Sequence, residues 1–324
     1  MPTVAPLDLD GHCVAAVFLD DVPHFALADG SIHRLDHGHK TVAAHDGLLS
    51  AALDQSGRRL ITGGEDGKVV ATGPGGTTET LAEVGRKWIS SVAAGPQGAV
   101  AFAAGRTAYV RFADGVTKEF PHTRSVEDVA FSPKGMRLGV ARYNGATLHF
   151  PAAAGKPVEL EWAGSHTAIT FSPDANFVVT AMQENALHGW KLADGKHMRM
   201  SGYPAKVKSL SWSARGKWLA SSGAQAAIVW PFQAKDGPMG KAPLELGTRG
   251  NSMVTCVACH PSQEIAAIGY DDGMVMAVRF ADTKEVLLRR PGKGAVTSMM
   301  WDDEERRIAF GTETGDCGVI DIAG

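Results

Sequence analysis

An internal repeat of about 40 residues restricts the fold of this chain more than any other feature of the sequence. In each copy, two apolar residues are separated by two other residues. One further residue and then a large apolar residue follow, and a turn comes directly after it. The pattern is clearest over Val126–Phe131 and returns over 168–171 and Val207–Trp212. Weaker copies occupy 14–19, 48–53, 89–94, 254–259 and 296–301, so that the last positions of successive copies lie 34 to 47 residues apart. Such a period is typical of folds in which one small unit stacks against copies of itself.

Each copy predicts four short β-strands. Its first segment has the period of two that a half-buried strand requires, and a second apolar strand follows after a turn. Tight turns are then expected at 66–67, 144–145 and 272–273, where Asp-Gly or Asn-Gly pairs tolerate the positive φ of a two-residue hairpin. A third strand and a more polar fourth strand complete the unit. We therefore predict an all-β protein, a single β-propeller domain over residues 1–324 built of four-stranded antiparallel blades.

The spacing of the copies also predicts the number of blades and how the last blade is completed. Eight copies predict eight blades; seven is the alternative, if the copy at 48–53 or at 89–94 does not form a full sheet. Only 23 residues follow Trp301, too few for a whole unit. We expect a strand at about residues 3–9 to supply the missing fourth strand, because a sheet edge would otherwise stay unpaired.

Composition narrows the classes of function. The chain has 324 residues, of which 44% are hydrophobic and 21% charged, as in globular proteins. A net charge of −3 provides no overall basic field, which argues against nucleic acid as a partner. The first residues lack the basic and apolar regions of a secretion signal, and no apolar run is long enough to span a membrane. The four cysteines are then expected to be reduced thiols in a cytoplasmic protein.

These features resemble the WD-repeat β-propeller family over essentially the whole chain, with no specific member indicated. The resemblance rests on the period, the Phe-Ser-Pro endings at 131–133 and 171–173, the Asp/Asn-Gly turns, and Trp190 and Trp230 at the ends of third strands. His12, after Gly11, takes the place of the family's Gly-His histidine and is expected to reach toward a turn aspartate. The resemblance implies a non-catalytic scaffold without a cofactor that binds a protein or peptide segment on its top face, around the central channel.

The resemblance also places three positions of each repeat on that top face. Two lie at the start of the first strand, and one lies just before the turn between the second and third strands. Large apolar groups and Arg at such positions are the side chains that interfaces use as hot spots, and a rim of mixed charge would orient the partner. The predicted site residues are Trp88, Tyr143, Met253, Arg106, Lys206, Lys208, Glu65, Glu127, Glu184, Asp271 and Glu313.

Other interpretations stay open beside this one. The alternative function is a propeller enzyme, lactonase-like or a metal-dependent hydrolase, with its site at the mouth of the channel. His37 and His39, with Asp36 or His45, have the ligand chemistry for a borderline metal, although exposed loop histidines are commoner. The Gly- and Pro-rich segment 233–252 is a second candidate contact site.

The segment 256–260, Cys-Val-Ala-Cys-His, matches the c-type haem pattern. It also aligns as a first strand of the repeat, and a strand sends Cys256 and Cys259 to opposite faces. We interpret Cys259 as a core residue in the position of the closing Phe, and we expect no cofactor.

Overall fold

The computed structural model describes residues 2–322, in which the regular structure consists of thirty β-strands and one 3₁₀ turn at Pro96–Gly98. No α-helix occurs in this range, and the prediction of an all-β protein is confirmed.

The strands follow one another with short connections. The first ten are β1 (Thr3–Asp8), β2 (Cys13–Leu19), β3 (Val22–Leu27), β4 (Ser31–Leu35), β5 (His39–Ala43), β6 (Leu48–Leu53), β7 (Leu60–Gly64), β8 (Lys68–Thr72), β9 (Thr78–Glu83) and β10 (Ser91–Ala94). The next ten are β11 (Val100–Ala104), β12 (Thr107–Arg111), β13 (Thr117–Pro121), β14 (Val126–Phe131), β15 (Leu138–His149), β16 (Val158–Phe171), β17 (Phe177–Met182), β18 (Ala186–Lys191), β19 (His197–Met200) and β20 (Leu210–Trp212). The last ten are β21 (Trp218–Ser221), β22 (Ala227–Pro231), β23 (Leu244–Leu246), β24 (Val254–Cys259), β25 (Ile265–Tyr270), β26 (Val275–Arg279), β27 (Glu285–Arg289), β28 (Val296–Trp301), β29 (Arg307–Thr312) and β30 (Asp316–Asp321).

These strands form seven antiparallel sheets in the described part of the chain. Six sheets have four strands each: β2 to β5, β6 to β9, β10 to β13, β20 to β23, β24 to β27, and β28 to β30 with β1. The seventh sheet has six strands, β14 to β19 in sequence order. Pairing of consecutive strands in four-stranded sheets is the blade topology of a β-propeller, as predicted.

The expectation of eight separate blades is wrong, and the number of sheets matches the alternative of seven. The difference arises in the six-stranded sheet, because β15 and β16 have 12 and 14 residues and are the longest strands. β15 pairs with β14 through its first half and with β16 through its second half, and the end of β16 pairs with β17. The copies of the repeat at 126–131 and 168–171 are thus joined into one sheet by β15 and β16. The weak copies at 48–53 and 89–94 each begin a full four-stranded sheet, so they are not the reason for the lower number.

One predicted turn lies inside β15. The φ angles of Asn144 and Gly145 are +65° and +126°, and a β-carbon at position 145 would overlap the carbonyl oxygen of Leu160. Glycine is therefore required here both by the backbone conformation and by the close approach of the neighbouring strand.

The chain divides into two compact units, which we describe separately. The split unit comprises the residues up to Leu27 and those from Met200 onward, and the continuous unit comprises Ala28–Arg199. In each unit the apolar core lies between neighbouring sheets. One core cluster of the split unit joins Val229 of β22 to Ile268 of β25, for example, and a cluster of the continuous unit joins Ile61 of β7 to Phe102 of β11.

Within the split unit, the first strand of the chain completes the last sheet. β1 pairs antiparallel with β30 in the register Thr3↔Asp321 to Asp8↔Asp316. The backbone nitrogen of Leu9 donates to the carbonyl of Gly315 at 2.9 Å and extends this contact by one residue. The predicted strand at about residues 3–9 and its role are therefore confirmed.

Hydrogen bonds from side chains connect the first strands of neighbouring sheets. In the split unit, the backbone nitrogen of Val257 donates to the Ser209 hydroxyl at 3.1 Å, and the nitrogen of Ala16 donates to the Ser298 hydroxyl at 2.9 Å. Both serines occupy the third position of the repeated phrase. The small polar residue at this position therefore satisfies backbone groups of the next sheet that would otherwise be buried without a partner.

In the continuous unit, Asp128 of β14 fills the same position and bonds to the first strands on both sides. Its Oδ1 accepts a hydrogen bond from the Ser91 hydroxyl of β10 at 2.6 Å, and its Oδ2 accepts one from the backbone nitrogen of Ile169 in β16 at 2.8 Å. Burial raises the pKa of the Asp128 carboxyl above its usual range, although both hydrogen bonds act in the opposite direction. One side chain thus joins three consecutive repeats.

Deletion of residues 2–8 should destabilise the split unit, because it removes the six residue pairs between β1 and β30 and exposes the edge of β30. We expect the midpoint of thermal unfolding, followed by circular dichroism, to fall by roughly 5 °C or more. The control is the double variant Thr3→Ser and Ala5→Ser, which changes exposed side chains only. An unchanged midpoint in the deletion variant would contradict the closing role of β1.

Replacement of Asp128 by Ala should lower the free energy of unfolding by about 2–4 kcal/mol, because the Ser91 hydroxyl and the Ile169 amide would lose their shared acceptor. Chemical denaturation measures this difference. The neighbouring Glu127→Ala variant is the matched control, since Glu127 is exposed and should change the free energy by less than about 0.5 kcal/mol. Equal stability of the two variants would show that Asp128 does not connect the repeats.

Candidate functional site

The predicted site positions lie at one end of each sheet, which we call the loop edge. It consists of the loops that precede the first strands and the turns between the second and third strands. These segments meet at the same end of an antiparallel sheet because alternate strands reverse direction. Backbone hydrogen bonds join them: the nitrogen of Glu65 donates to the carbonyl of Gly47, and that of Asp271 donates to the carbonyl of Met253, each at 2.9 Å.

In the continuous unit, every predicted site residue is exposed. These residues are Glu65, Trp88, Arg106, Glu127, Tyr143 and Glu184. The exposed fractions of Trp88 and Tyr143 are 60% and 49%, and no other aromatic residue is among the large apolar residues exposed in the described range. Because rings of this size are mostly buried in folded proteins, their exposure distinguishes the loop edge of this unit from the rest of its surface.

Glu184 has a structural contact that the sequence did not predict. Its two carboxylate oxygens lie 3.0 and 3.3 Å from the backbone nitrogen of Ser165, which donates to them. The bond equivalent to that of Glu65 is made by the preceding residue, Gln183, whose nitrogen donates to the carbonyl of Ser165 at 2.9 Å. Glu184 therefore holds the turn against the loop and is one position removed from the place that the resemblance assigned to it.

In the split unit, the predicted residues are less uniformly accessible. Lys208, Asp271 and Glu313 are exposed, whereas Lys206 and Met253 are half-buried. The expectation that Met253 presents a large apolar surface to solvent is therefore met only in part. The Glu313 carboxylate accepts a hydrogen bond from the backbone nitrogen of Ala295 at 3.1 Å, the same kind of contact that Glu184 makes.

Arg124 is a residue of the loop edge that the sequence analysis missed. Its guanidinium lies over the ring of Tyr143, 6.0 Å from the ring centre, in a cation–π contact. The signal was present in the sequence, since Arg124 directly precedes Ser125, one of the positions that the resemblance places at the start of a first strand.

Two clefts of about 200 and 190 Å³ lie away from the loop edge. The larger is lined by residues 213–215, 217 and 262–264, and the other by 54–56, 59, 94–95 and 98–100, in both cases at turns between first and second strands. These turns are at the opposite end of the strands, and no predicted site residue lines either cleft. A partner that binds at the loop edge would therefore contact exposed side chains and would not enter either of these clefts.

A buried histidine network is centred on His45, not on His12. His45 Nδ1 lies 3.0 Å from Asp66 Oδ1, and its Nε2 lies 2.9 Å from the hydroxyl of Thr62. The Thr62 hydroxyl also lies 3.3 Å from the carbonyl of Val70, to which it donates. His12 is exposed and its side chain makes no hydrogen bond or ion pair within residues 2–322, so the expectation that it reaches a turn aspartate is wrong. His45 takes that role, and both of its ring nitrogens are engaged.

The remaining histidines of the proposed metal site are not gathered around one point. The side chain of His37 is fully exposed, and His39 Nε2 lies 2.8 Å from His33 Nδ1. Within residues 2–322, no group of three or more His, Cys, Asp or Glu side chains has the geometry to hold a metal ion.

A second buried network lies in the split unit. The Tyr203 hydroxyl lies 2.7 Å from the Ser221 hydroxyl and accepts a hydrogen bond from Trp230 Nε1 at 2.6 Å. Ser221 donates in turn to the carbonyl of Ile228 at 2.9 Å. Burial raises the pKa of Tyr203 to about 12, so the phenol stays protonated. Here a tyrosine occupies the place that His45 fills in the other network.

The Cys-x-x-Cys-His segment is part of β24 and the turn after it. Cys256 packs in one apolar cluster and Cys259 against another, on opposite faces of the strand. Burial raises the pKa of each thiol to about 11. The two sulfurs therefore do not face one common side, as attachment to a single haem would require.

The segment 233–252 is partly regular. β23, at Leu244–Leu246, is the fourth strand of its sheet, and Met239 in the preceding turns is 55% exposed. Its role as a second contact site stays a prediction.

An unusual cluster of rings fills part of the six-stranded sheet. The imidazole of His188 is fully buried and stacks on Trp162, with 4.1 Å between the ring centres and 17° between the planes. Neither ring nitrogen of His188 has a hydrogen-bond partner. Burial lowers its pKa to about 3, and the nearby His197, His166 and Arg199 act in the same direction. The folded protein therefore holds His188 in its neutral form.

Acidification should destabilise the protein through His188. Because its pKa is lower in the folded than in the unfolded chain, its contribution is complete above about pH 6.5 and is lost as the pH falls from there toward 3. At pH 4.5 this loss should reach about 2–3 kcal/mol. The His188→Phe variant, which keeps an aromatic ring, should lose less stability between pH 7 and 4.5 in chemical denaturation. His37→Phe, at an exposed position, is the control, and equal pH slopes for the two variants would refute this assignment.

The profile of the WD domain, G-beta repeat family matches residues 37–70 and 196–230. These segments contain the two buried networks, centred on His45 and on Tyr203. A comparison with curated proteins found no match. Among solved structures, the computationally designed Ika8 protein is similar, with a TM-score of 0.78 and 20% identity over 97% of this chain and 98% of that chain. Within residues 2–322, no helix combines the length and apolarity needed to cross a bilayer. The chain therefore carries WD40 repeats in a β-propeller fold, which is consistent with the WD-repeat propeller family without indicating a specific member.

Proposed function

We propose that this protein is a non-catalytic scaffold for protein–protein interaction and that it binds a peptide or protein segment at its loop edge. The observation that carries the proposal is the exposure of two large rings of the continuous unit, Trp88 in the loop before β10 and Tyr143 in β15. Aromatic side chains at a surface of this kind supply a large contact area at a low cost in conformational entropy, and they dominate the energetics of many interfaces.

The backbone that presents these rings is held by hydrogen bonds, which favours binding without chemistry. The nitrogen of Ile89, next to Trp88, donates to the carbonyl of Gly64 at 3.0 Å, and the nitrogen of Ser90 donates to that of Ala103 at 3.0 Å. A preformed surface loses little conformational entropy when a partner binds.

The contacts of two acids at the loop edge favour a scaffold over the alternative of a propeller enzyme. A hydrolytic site needs carboxylates that are free to bind a metal ion or to transfer protons. Glu184 and Glu313 instead accept hydrogen bonds from the backbone of neighbouring loops. Their role in this proposal is to position the turns, and the residues that contact the partner are the rings and cations between them.

We further propose that the scaffold acts in the cytoplasm. Cys13, Cys256, Cys259 and Cys317 are free thiols, as expected in a reducing compartment.

Substitution of Trp88 or Tyr143 by Ala should leave the protein folded and remove its partner. Tagged wild-type protein and the two variants would be used for affinity purification followed by quantitative mass spectrometry. The control is Val158→Ala, which shortens a side chain that is also exposed but lies on β16. We expect at least one protein to be retained by the wild type and by the control. Its recovered amount should fall more than tenfold with either variant, which corresponds to a loss of about 1.4 kcal/mol in binding free energy.

A direct binding measurement with the recovered protein completes this test. If that protein binds the Trp88→Ala and Tyr143→Ala variants as tightly as the wild type, the loop edge of the continuous unit is not its binding site.

A further inference from the structure

A local excess of positive charge surrounds the exposed rings of the continuous unit. Residues 84–126, which contain β10 to β13 and the loops on either side, carry six Lys and Arg against two Asp and Glu, a net charge of +4. The rest of the chain carries 26 basic and 33 acidic residues, a net charge of −7. The charge of the whole chain thus conceals a basic region.

Four of these cations lie in loops of the loop edge. We call Arg86, Lys87, Arg106 and Arg124 the basic loop residues. All four are exposed, and none of them forms an ion pair with another residue of the described range, in contrast to Arg59 and Arg142 of the same unit. Cations with no internal ion pair are available to a ligand, and an anion at this surface would not have to displace an acidic side chain of the protein.

The loops that carry these residues are connected to one another. The nitrogen of Ser90 donates to Ala103 in the strand that leads to Arg106, and the nitrogen of His122 donates to the carbonyl of Arg106 at 2.8 Å. Arg124 then contacts the ring of Tyr143. The order Trp88, Arg106, Arg124 and Tyr143 therefore follows a continuous path along two sheets, with a ring at each end and cations between them.

From this arrangement we infer that the segment recognised by the loop edge is an acidic peptide, with carboxylates that pair with the basic loop residues and apolar groups that contact Trp88 and Tyr143. This inference rests on the proposed scaffold function and specifies the chemistry of its partner. Charge complementarity at the edge of an interface raises the association rate and selects among partners, whereas the rings supply most of the affinity.

A single-stranded nucleic acid would use the same classes of side chain, but the structure favours a peptide. Bases need an open ring face for stacking, and the guanidinium of Arg124 lies over one face of Tyr143, 6.0 Å from the ring centre. In addition, Glu127 is exposed at the start of β14, one residue after Val126, where it would repel a continuous phosphate backbone. A peptide with separated carboxylates avoids both conflicts.

An array of 15-residue peptides with net charges from −6 to +6 and a constant content of Phe and Leu tests this inference on the whole chain. The bound fraction should rise with negative charge for the wild type and fall when the salt concentration is raised. In the Arg106→Glu and Lys87→Glu variants, binding of the most acidic peptides should drop at least fivefold. The matched control is Lys134→Glu, an exposed cation in the turn between β14 and β15, which should bind like the wild type.

The remaining outcomes separate this inference from the function on which it rests. Peptide binding that requires Trp88 but is independent of peptide charge would overturn the acidic specificity and leave the scaffold function standing. Absence of peptide binding, or equal losses in the Lys134→Glu and Arg106→Glu variants, would also overturn the inference. Tighter binding of a 15-nucleotide oligothymidylate than of any peptide, lost in the Arg106→Glu variant, would overturn both and assign the surface to nucleic acid.

Discussion

The structure depends on the pairing of backbone groups where the first strands of neighbouring sheets meet. These strands are at least partly buried, so an amide that does not take part in its own sheet needs an acceptor from the next one. Ser209 and Ser298 provide such acceptors in the split unit, and Asp128 provides two contacts at once in the continuous unit. Apolar packing between sheets has no preferred register, whereas these hydrogen bonds set how one sheet lies against the next.

Hydrogen bonds to backbone amides also determine how the candidate site is built. At the loop edge, Glu184 and Glu313 accept amide hydrogen bonds and so belong to the framework of the turns. Trp88, Tyr143 and the basic loop residues have no comparable role in holding the sheets together. The fold does not need these side chains, but hydrogen bonds hold the backbone that carries them. Both properties are expected of a binding surface.

Much of the fold was predictable because a strand has a simple period and a tight turn has strict backbone requirements. The four-stranded unit, the turn at 144–145 and the pairing of β1 with the last sheet all followed from the spacing of apolar residues and glycines. The number of sheets did not, because the continuity of β15 and β16 through a turn depends on hydrogen bonds between strands. The candidate site was predictable to the level of position: Trp88 and Tyr143 are exposed as expected, but Met253 is half-buried and Glu184 contacts Ser165.

The sequence by itself determined the architecture, since repetition of one apolar phrase leaves few ways to bury it other than stacking four-stranded sheets. It also determined most of the residues that lie at the loop edge, although not Arg124. Only the tertiary structure decided what those residues do, because the partner of a side chain is set by the segment that folds against it. His45 rather than His12 meets the turn aspartate, Arg124 lies over the ring of Tyr143, and His188 stacks on Trp162 without a hydrogen-bond partner. A periodic sequence pattern does not predict these contacts, since each joins residues that are brought together by the packing of the sheets.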